Sequence, residues 1–203
     1  MSLTTVQYFY SLASPWSYLG AERLIALCAE KGAVIESFPI ATFKTNGWLP
    51  LAEKPANRQA YVMTDLKRWA GRLGVPMVLE GRPAFTNLAE ALPIVYAAQL
   101  AGADALALSV ALQKAYWERC IDVGNKGPRA EVATEAGFDG AALSAMEDSA
   151  EVAEQRTRMF AAAEAAGVFG SPTYVLDGEI YWGQDRLDFL AEALEAARVT
   201  ETA

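Results

Sequence analysis

Residues 6–19, VQYFYSLASPWSYL, decide how the chain begins to fold. The run of β-branched and aromatic residues from Val6 to Tyr10 predicts a strand. Ser14 is a good helix cap and Pro15 suits the first turn of a helix, so a helix is predicted from Pro15 to about Lys31. The segment AVIESFPI (33–40) then predicts a second strand. This order is a βαβ unit, which implies two parallel strands.

The chain beyond residue 44 changes character twice. A stretch rich in Gly, Pro and Asn, TNGWLPLAEKPAN (45–57), interrupts the pattern, and the chain is then predicted to be helical for about a hundred residues. From residue 167 the sequence predicts a strand, a tight Asp-Gly turn, a second strand and a closing amphipathic helix. The predicted central helices are Asn57–Leu73, Thr86–Ala101, Ala103–Val123, a piece around Arg129–Ala136, and Gly140–Ala166.

A βαβ start and a ββα finish separated by helices is the order of an α/β, thioredoxin-like fold with a large all-helical insertion domain. The predicted boundaries are residues 1–43 for the first part of the thioredoxin-like domain and 44–166 for the insertion. Residues 167–203 complete the thioredoxin-like domain.

Composition excludes several classes of function. The 203 residues include no histidine, which removes Ser/His/Asp and Cys/His triads and the commonest general base near neutral pH. A net charge of −8 without a basic stripe argues against nucleic acid as a partner. No apolar run is long enough to span a bilayer, and the first residues lack a secretory signal, so a cytoplasmic location is expected.

The two cysteines, Cys28 and Cys120, are far apart and lie in apolar helical patterns, which predicts buried free thiols. They cannot form a CxxC pair or a four-ligand zinc site, and no metal is expected.

Three separated motifs suggest a binding site. Ser14 at the start of the first helix would place a hydroxyl and free amides where the helix dipole favours a thiolate, although taken alone the motif is an ordinary helix cap. In GSPT (170–173), Pro172 at the start of a strand requires an edge, a bulge or a cis bond. A cis bond would leave a backbone edge of Ser171 open to an extended peptide, whereas the simpler interpretation is a rigid turn.

The third motif is Trp182-Gly183-Gln184-Asp185, which lies between a strand and the closing helix. Asp185 could cap that helix, and the exposed amides together with its carboxylate could also hold the charged ends of a ligand. Further polar residues stand near loops or helix starts, where a solvated surface is the simpler explanation: Lys44, Asn46, Asn57, Arg58 and Asn87.

The segments FYSLASPWSYLGAERL (9–24) and GVFGSPTYVLDGEIYWGQDRLDFL (167–190) resemble the DsbA-like branch of the thioredoxin superfamily. The resemblance is specifically to 2-hydroxychromene-2-carboxylate isomerases and the related kappa-class glutathione transferases, and it extends over the full length. Dithiol relatives carry CPxC where this chain has Ser14 and Ser17, so disulfide exchange at this site is excluded.

The resemblance implies glutathione as cofactor. Ser14 would donate a hydrogen bond to the glutathione sulfur and support its thiolate. Ser171, which stands where the family usually has Val or Leu, would pair through its backbone with the cysteinyl part of glutathione, and Trp182, Gly183, Gln184 and Asp185 would hold the γ-glutamyl end. Lys44, Asn46 and Asn87 match the residues that bind a small aromatic carboxylate substrate, and Asn57 and Arg58 are further candidates.

The resemblance also implies an activity, a homodimer, and a role in aromatic hydrocarbon catabolism. The expected activity is glutathione-dependent isomerisation of 2-hydroxychromene-2-carboxylate, with ring opening and cis/trans isomerisation to an o-hydroxybenzylidenepyruvate. Two alternatives remain open at this point: a kappa-class-like glutathione transferase and a non-catalytic thioredoxin-like peptide-binding protein.

Overall fold

The structure is a computed structural model that describes residues 4–41 and 51–201, with side chains described up to residue 197. A four-stranded sheet lies at its centre in the order β2-β1-β3-β4. The strands are β1 (Thr5–Tyr10), β2 (Val34–Pro39), β3 (Thr173–Leu176) and β4 (Glu179–Trp182).

The sheet confirms the predicted topology of the two chain ends. β1 pairs in parallel with β2 and antiparallel with β3, and β3 pairs antiparallel with β4. The two residues between β3 and β4 are Asp177 and Gly178, with φ of 50° and 83°, which is the left-handed geometry of a type I′ hairpin turn.

Helices cover both faces of the sheet and form a large part of the molecule. Pro15–Lys31 (α1) and Ala56–Leu73 (α2) agree with the predicted helices to within one residue. The later helices are α3 (Leu92–Leu100), α4 (Ala105–Trp117), α5 (Lys126–Glu135), α6 (Gly140–Met146), α7 (Ala150–Ala165) and α8 (Leu187–Glu201), with short 3₁₀ turns at Leu51–Glu53, Leu88–Ala91 and Gln184–Arg186.

Two of the predicted central helices are wrong at their ends. The segment Thr86–Ala101 is a 3₁₀ turn capped by Asn87 and followed by α3, because Pro93 begins a new helix there. The segment Ala103–Val123 is helical only to Trp117, and three residues later Cys120 has a left-handed φ of 54° that a helix cannot contain.

The predicted helix Gly140–Ala166 is in fact two helices. α6 starts after Asp139, whose side chain accepts from the Ala142 amide, and α7 starts after Ser149, whose side chain accepts from the Val152 amide. A second cap in the middle of an apparently continuous pattern ends one helix and begins the next.

Strand β1 is buried on both faces. Tyr8 and Tyr10 belong to the main core, which also contains Leu24 of α1 and Ile94 of α3, while Phe9 lies on the other face in a second cluster. Helix α3 also contacts the edge strand, since the Gln99 side chain donates to the Ser37 carbonyl at 2.9 Å. The central helices and the chain ends therefore share one core.

Within residues 4–41 and 51–201, no helix is both long enough and apolar enough to cross a membrane.

Candidate active site

Ser14 stands at the junction of β1 and α1. It has the extended backbone of an N-cap, with φ −83° and ψ 116°, and its Oγ accepts a hydrogen bond from the Ser17 amide at 3.2 Å. Pro15 occupies the first turn, where it removes no helical hydrogen bond. The positive end of the α1 dipole is therefore directed toward the Ser14 hydroxyl.

The Ser171–Pro172 peptide bond is cis, which is one of the three possibilities that the sequence allowed for a proline at the start of a strand. The Ser14 hydroxyl donates to the Ser171 carbonyl at 3.3 Å, so the two motifs are in contact although 157 residues separate them. Within the part of the chain that the structure describes, the Ser171 amide has no hydrogen-bond acceptor. The amide donor and the carbonyl acceptor of Ser171 therefore both lie next to the start of α1.

A group of four serines joins these two segments, and we call it the serine cluster: Ser11, Ser14, Ser17 and Ser171. The Ser11 amide donates to the Ser171 Oγ at 2.7 Å, and the Ser17 and Ser171 hydroxyls lie 2.8 Å apart. Ser17 is fully buried and Ser171 is half-buried. The Ser171 side chain therefore contacts the end of β1 and the first turn of α1, while its backbone carbonyl contacts the Ser14 hydroxyl.

The Gly183–Asp185 turn lies beside the cis-proline. The Gly183 amide donates to the Pro172 carbonyl at 2.9 Å, and Gly183 has a φ of 112°, which only glycine adopts readily. The Gln184 side chain is buried, and its Oε1 accepts from Arg23 at 2.7 Å. What Gln184 could offer a ligand is thus its backbone amide rather than its side chain.

Trp182 forms an exposed aromatic wall next to the cis-proline. Its ring packs edge-on against Phe169, with ring centroids 5.0 Å apart, and both side chains are about half exposed. A Cβ atom at Gly170 would collide with the Trp182 indole nitrogen, so the indole can lie in this position because residue 170 is glycine.

A cleft of about 310 Å³ lies beside the cis-proline and the Gly183–Asp185 turn. Ser14 is not among the residues that line it, although its hydroxyl contacts the carbonyl of Ser171, which does line it. Five of the predicted ligand-binding residues line it, namely Ser171, Trp182, Gly183, Gln184 and Asp185. The lining also contains residues that sequence reasoning missed: Trp16, Asp65, Trp69 and Arg186. Asp65 and Trp69 are four residues apart on α2 and so share one face of that helix, a spacing that could have marked them.

A larger cavity of about 820 Å³ lies elsewhere, between α1, β2, α7 and the turn from α3 into α4. It contains Cys28 but none of the predicted site residues. We therefore take the smaller cleft as the candidate site, since it is the one of these two that brings predicted ligand-binding residues from two separate motifs together.

Three of the predicted substrate-binding residues, Asn57, Arg58 and Asn87, are described, and none of the three lines this cleft. Asn57 and Arg58 are exposed in the first turn of α2, where the Asn57 Oδ1 accepts from the Arg58 amide at 2.9 Å. Asn87 is exposed and its Oδ1 accepts from the Ala89 amide at 3.1 Å. Lys44 and Asn46 lie outside the described residues, so the roles of all five stay predictions.

The cysteines differ from each other. Burial raises the pKa of the Cys28 thiol to about 11, which keeps it protonated and unreactive at neutral pH. Cys120 is only partly buried and follows α4 instead of lying within it, so the prediction of a second buried helical thiol is wrong.

Comparison with known proteins agrees with this arrangement. The sequence profile of the DSBA-like thioredoxin domain family matches residues 5–195. A 2-hydroxychromene-2-carboxylate isomerase from Pseudomonas putida is 30% identical over 194 residues, covering 93% of each chain. One from Sphingobium xenophagum is 29% identical, covering 94% of this chain and 97% of the relative.

A solved structure of a 2-hydroxychromene-2-carboxylate isomerase superposes with a TM-score of 0.77. Its sequence is 26% identical, and the match covers 98% of both chains. The similarity in sequence and the similarity in structure therefore extend over nearly the whole chain.

Proposed function

Because the chain belongs to the DSBA-like thioredoxin domain family and to the 2-hydroxychromene-2-carboxylate isomerases within it, we propose that it is a glutathione-dependent isomerase of this type. The reaction would open the hydroxychromene ring and isomerise the product to an o-hydroxybenzylidenepyruvate. The proposal also includes a role in aromatic catabolism and a homodimer, both of which the family resemblance implies, and a cytoplasmic location.

One observation carries the glutathione part of the proposal. The Ser14 hydroxyl lies 3.3 Å from the Ser171 carbonyl, next to a cis-proline and to an amide without an acceptor in the described structure. This is the arrangement that an extended cysteinyl residue requires, since it can pair with one backbone N–H and one C=O while its sulfur reaches the helix start.

Ser14 can change partner without leaving a group unpaired. A ligand amide that donates to the Ser171 carbonyl would replace the Ser14 hydroxyl there, and this hydroxyl could then donate to the ligand sulfur. The Ser17 amide donates to the Ser14 Oγ and would polarise it further. Charge-assisted bonds of this kind, together with the α1 dipole, lower the pKa of a thiol.

The cleft fits the γ-glutamyl end of glutathione. The Gly183–Asp185 turn begins the segment that leads into α8, so its amides can bind a carboxylate, and the Asp185 carboxylate can bind an ammonium group. The Asp185 carboxylate also lies 3.5 Å from the Arg186 guanidinium. The turn thus has one anionic and one cationic side chain, which would complement the two charges of a zwitterionic ligand.

Bound glutathione would supply the nucleophile that opens the ring and is expelled after bond rotation. The protein would orient the sulfur through Ser14 and Ser171 and stabilise its charge. Lys44, Asn46, Asn57, Arg58 and Asn87 are the proposed contacts of the substrate carboxylate and hydroxyl. Proton transfer by histidine is not required, which matches the absence of histidine from the chain.

The test is to follow the conversion of 2-hydroxychromene-2-carboxylate by the purified protein. We expect turnover with glutathione and none without it, and S-methylglutathione should inhibit because its sulfur cannot ionise. Equal turnover with and without glutathione would refute the cofactor, and no turnover under either condition would refute the isomerase.

The two alternative functions predict different results for the same purified protein. A kappa-class-like transferase would form a stable conjugate with a chlorodinitrobenzene-type electrophile and leave the hydroxychromene unchanged. A peptide-binding protein would bind an extended peptide but not glutathione in calorimetry. Light scattering on a sizing column tests the proposed homodimer.

A further inference from the structure

The side chain of Ser171 has contacts that the proposed function does not use. In that function only the Ser171 backbone contacts the ligand. Its Oγ nevertheless accepts a hydrogen bond from the Ser11 amide and forms a second hydrogen bond with the Ser17 hydroxyl. These two contacts join the cis-proline turn to the end of β1 and to the first turn of α1. A residue that acted only through its backbone would not need a hydroxyl.

The hydrogens of the Ser17 and Ser171 hydroxyls can be counted. The two hydroxyls carry two hydrogens, and their mutual contact at 2.8 Å uses one of them. Ser17 is fully buried, and among the described residues its hydroxyl has no acceptor other than Ser171. Since an unsatisfied buried donor is costly, the favoured arrangement has Ser17 donating to Ser171.

The second hydrogen then belongs to Ser171. Its oxygen already accepts from Ser11 and from Ser17, so its own hydrogen must be directed toward a third partner. Ser171 is half-buried and lines the cleft, and the structure offers no protein acceptor for this hydrogen among the described residues. The available direction is toward the cleft, near the place proposed for the sulfur.

We propose that the hydroxyl pair of Ser17 and Ser171 is a second component of the thiolate site. It fixes the Ser171–Pro172 turn against the start of α1 and offers the bound sulfur a hydroxyl hydrogen in addition to that of Ser14. This inference rests on the proposed binding of glutathione. Ser171 is thus a donor to the ligand, and Ser17 is a positioning residue that acts through it.

The proposal separates affinity from ionisation. The backbone groups of Ser171 and the Gly183–Asp185 turn would still bind glutathione if the Ser171 hydroxyl were removed. Loss of one donor to the thiolate should lower the acid dissociation constant of the bound thiol about tenfold, because each such bond favours the charged form. The charged groups that line the cleft, Asp65, Asp185 and Arg186, remain the same in every variant below.

The experiment titrates the thiolate absorbance of glutathione bound to the purified protein. Ser171→Val removes the hydroxyl and has the same shape as the Ser171→Thr variant, and we expect glutathione affinity within about threefold of wild type with an acid dissociation constant of the bound thiol about tenfold lower. Ser171→Thr retains the hydroxyl and should restore the wild-type value. Ser17→Ala should have a smaller effect in the same direction, and it tests the pair from the helix side if Ser171→Val does not fold.

Ser109→Ala is the matched control. Ser109 is also a buried serine, and its Oγ lies 2.8 Å from the Tyr10 hydroxyl, but it does not line the cleft. Its loss should weaken the fold and leave the thiolate titration unchanged.

Three results would count against the proposal. An unchanged titration in Ser171→Val overturns it while leaving the proposed function intact. If Ser109→Ala shifts the acid dissociation constant of the bound thiol as much as Ser171→Val does, the effect comes from a general loosening of the fold, and the proposal is also overturned. If wild-type protein shows no thiolate signal with glutathione, the proposed function itself fails, and this inference fails with it.

Discussion

Two polar clusters of this molecule differ in how completely their groups are paired. The ion pair of Arg129 and Glu147 joins α5 to the end of α6, and both residues are only 4% exposed. The guanidinium contacts both carboxylate oxygens and also donates to the Gly124 carbonyl at 2.6 Å. The serine cluster carries no charge, but it borders a cleft and has a hydroxyl hydrogen and a backbone amide without a protein partner in the described structure.

The difference shows that buried charge by itself does not mark a functional site. The charged groups of Arg129 and Glu147 form their hydrogen bonds inside the protein. The pair can therefore hold two helices together but has few free donors or acceptors for a ligand. The neutral serines have capacity left over in a place that a ligand can reach. The predictions below test whether the first cluster acts on stability alone and the second mainly on chemistry.

Glu147→Gln should have the largest effect on stability. It leaves the Arg129 charge buried without a counter-charge, and removing one partner of such a pair costs about 3–5 kcal/mol. Urea unfolding measures this loss. The thiolate titration of the folded fraction should not change, because neither residue lines the cleft.

The neighbouring residue supplies the control for that variant. Asp148 forms an exposed ion pair with Lys126, so Asp148→Asn should cost less than about 1 kcal/mol. Equal losses in the two variants would mean that burial does not distinguish the pairs, and the comparison would fail on its structural side.

Ser14→Ala should have the converse effect. It removes the hydroxyl that would donate to the sulfur, and loss of one such donor typically lowers kcat by a factor of about 100 or more. Unfolding free energy should fall only by about 1 kcal/mol, the usual value of an N-cap. Isomerase kinetics together with urea unfolding test both expectations, and a large loss of stability with normal kcat would reverse the assignment.

Tyr10 and Ser109 form a third case, in which hydroxyls are sealed in the core. The Ser109 hydroxyl donates to the Ala105 carbonyl at 2.8 Å and therefore accepts from Tyr10. Burial raises the pKa of Tyr10 to about 12, whereas an unfolded tyrosine titrates near 10. The folded state thus holds its proton longer, and this contribution to stability is present below pH 10 and is lost as the pH rises from about 10 to 12.

The loss should be roughly 1 kcal/mol per pH unit in that range. Tyr10→Phe removes this titration, so its unfolding free energy should decline less steeply than that of wild type between pH 10 and 11.5. Parallel declines would show that the Tyr10 hydroxyl is not sealed. Activity at neutral pH should be unaffected by the titration, since the hydroxyl stays protonated there.

The sequence predicts the chain ends better than the middle, for a physical reason. Strand β1, helix α1 and the Asp177–Gly178 hairpin follow from local signals, since capping, alternation and turn chemistry act within a few residues. The break at Ser149 was missed because the apolar period continues across it. Glu147, just before the break, is buried by an ion pair with Arg129, a contact that local patterns do not contain.

The site was predicted in the same uneven way. Ser14, Ser171 and the Gly183–Asp185 turn stand out as motifs, and the structure brings Ser14 to 3.3 Å from the Ser171 carbonyl. Asp65 and Trp69 reach the cleft only because α2 packs across the start of α1, which is a tertiary contact. The Ser171 hydroxyl was overlooked because the family resemblance assigns that position to its backbone.

Asp185→Asn should have the smallest effect on catalysis, and it tests whether a charge in the cleft matters less than the serine hydroxyls. Asp185 lies in the open cleft, is exposed and already contacts Arg186. An ammonium group bound there keeps its access to water, so losing the charge should raise the KM for glutathione by only about threefold to tenfold and leave kcat unchanged. Asp188→Asn, also at an exposed position in the first turn of α8 but outside the cleft, should change neither constant. If Asp185→Asn instead lowered kcat as much as Ser14→Ala, charge rather than hydroxyl pairing would dominate this site.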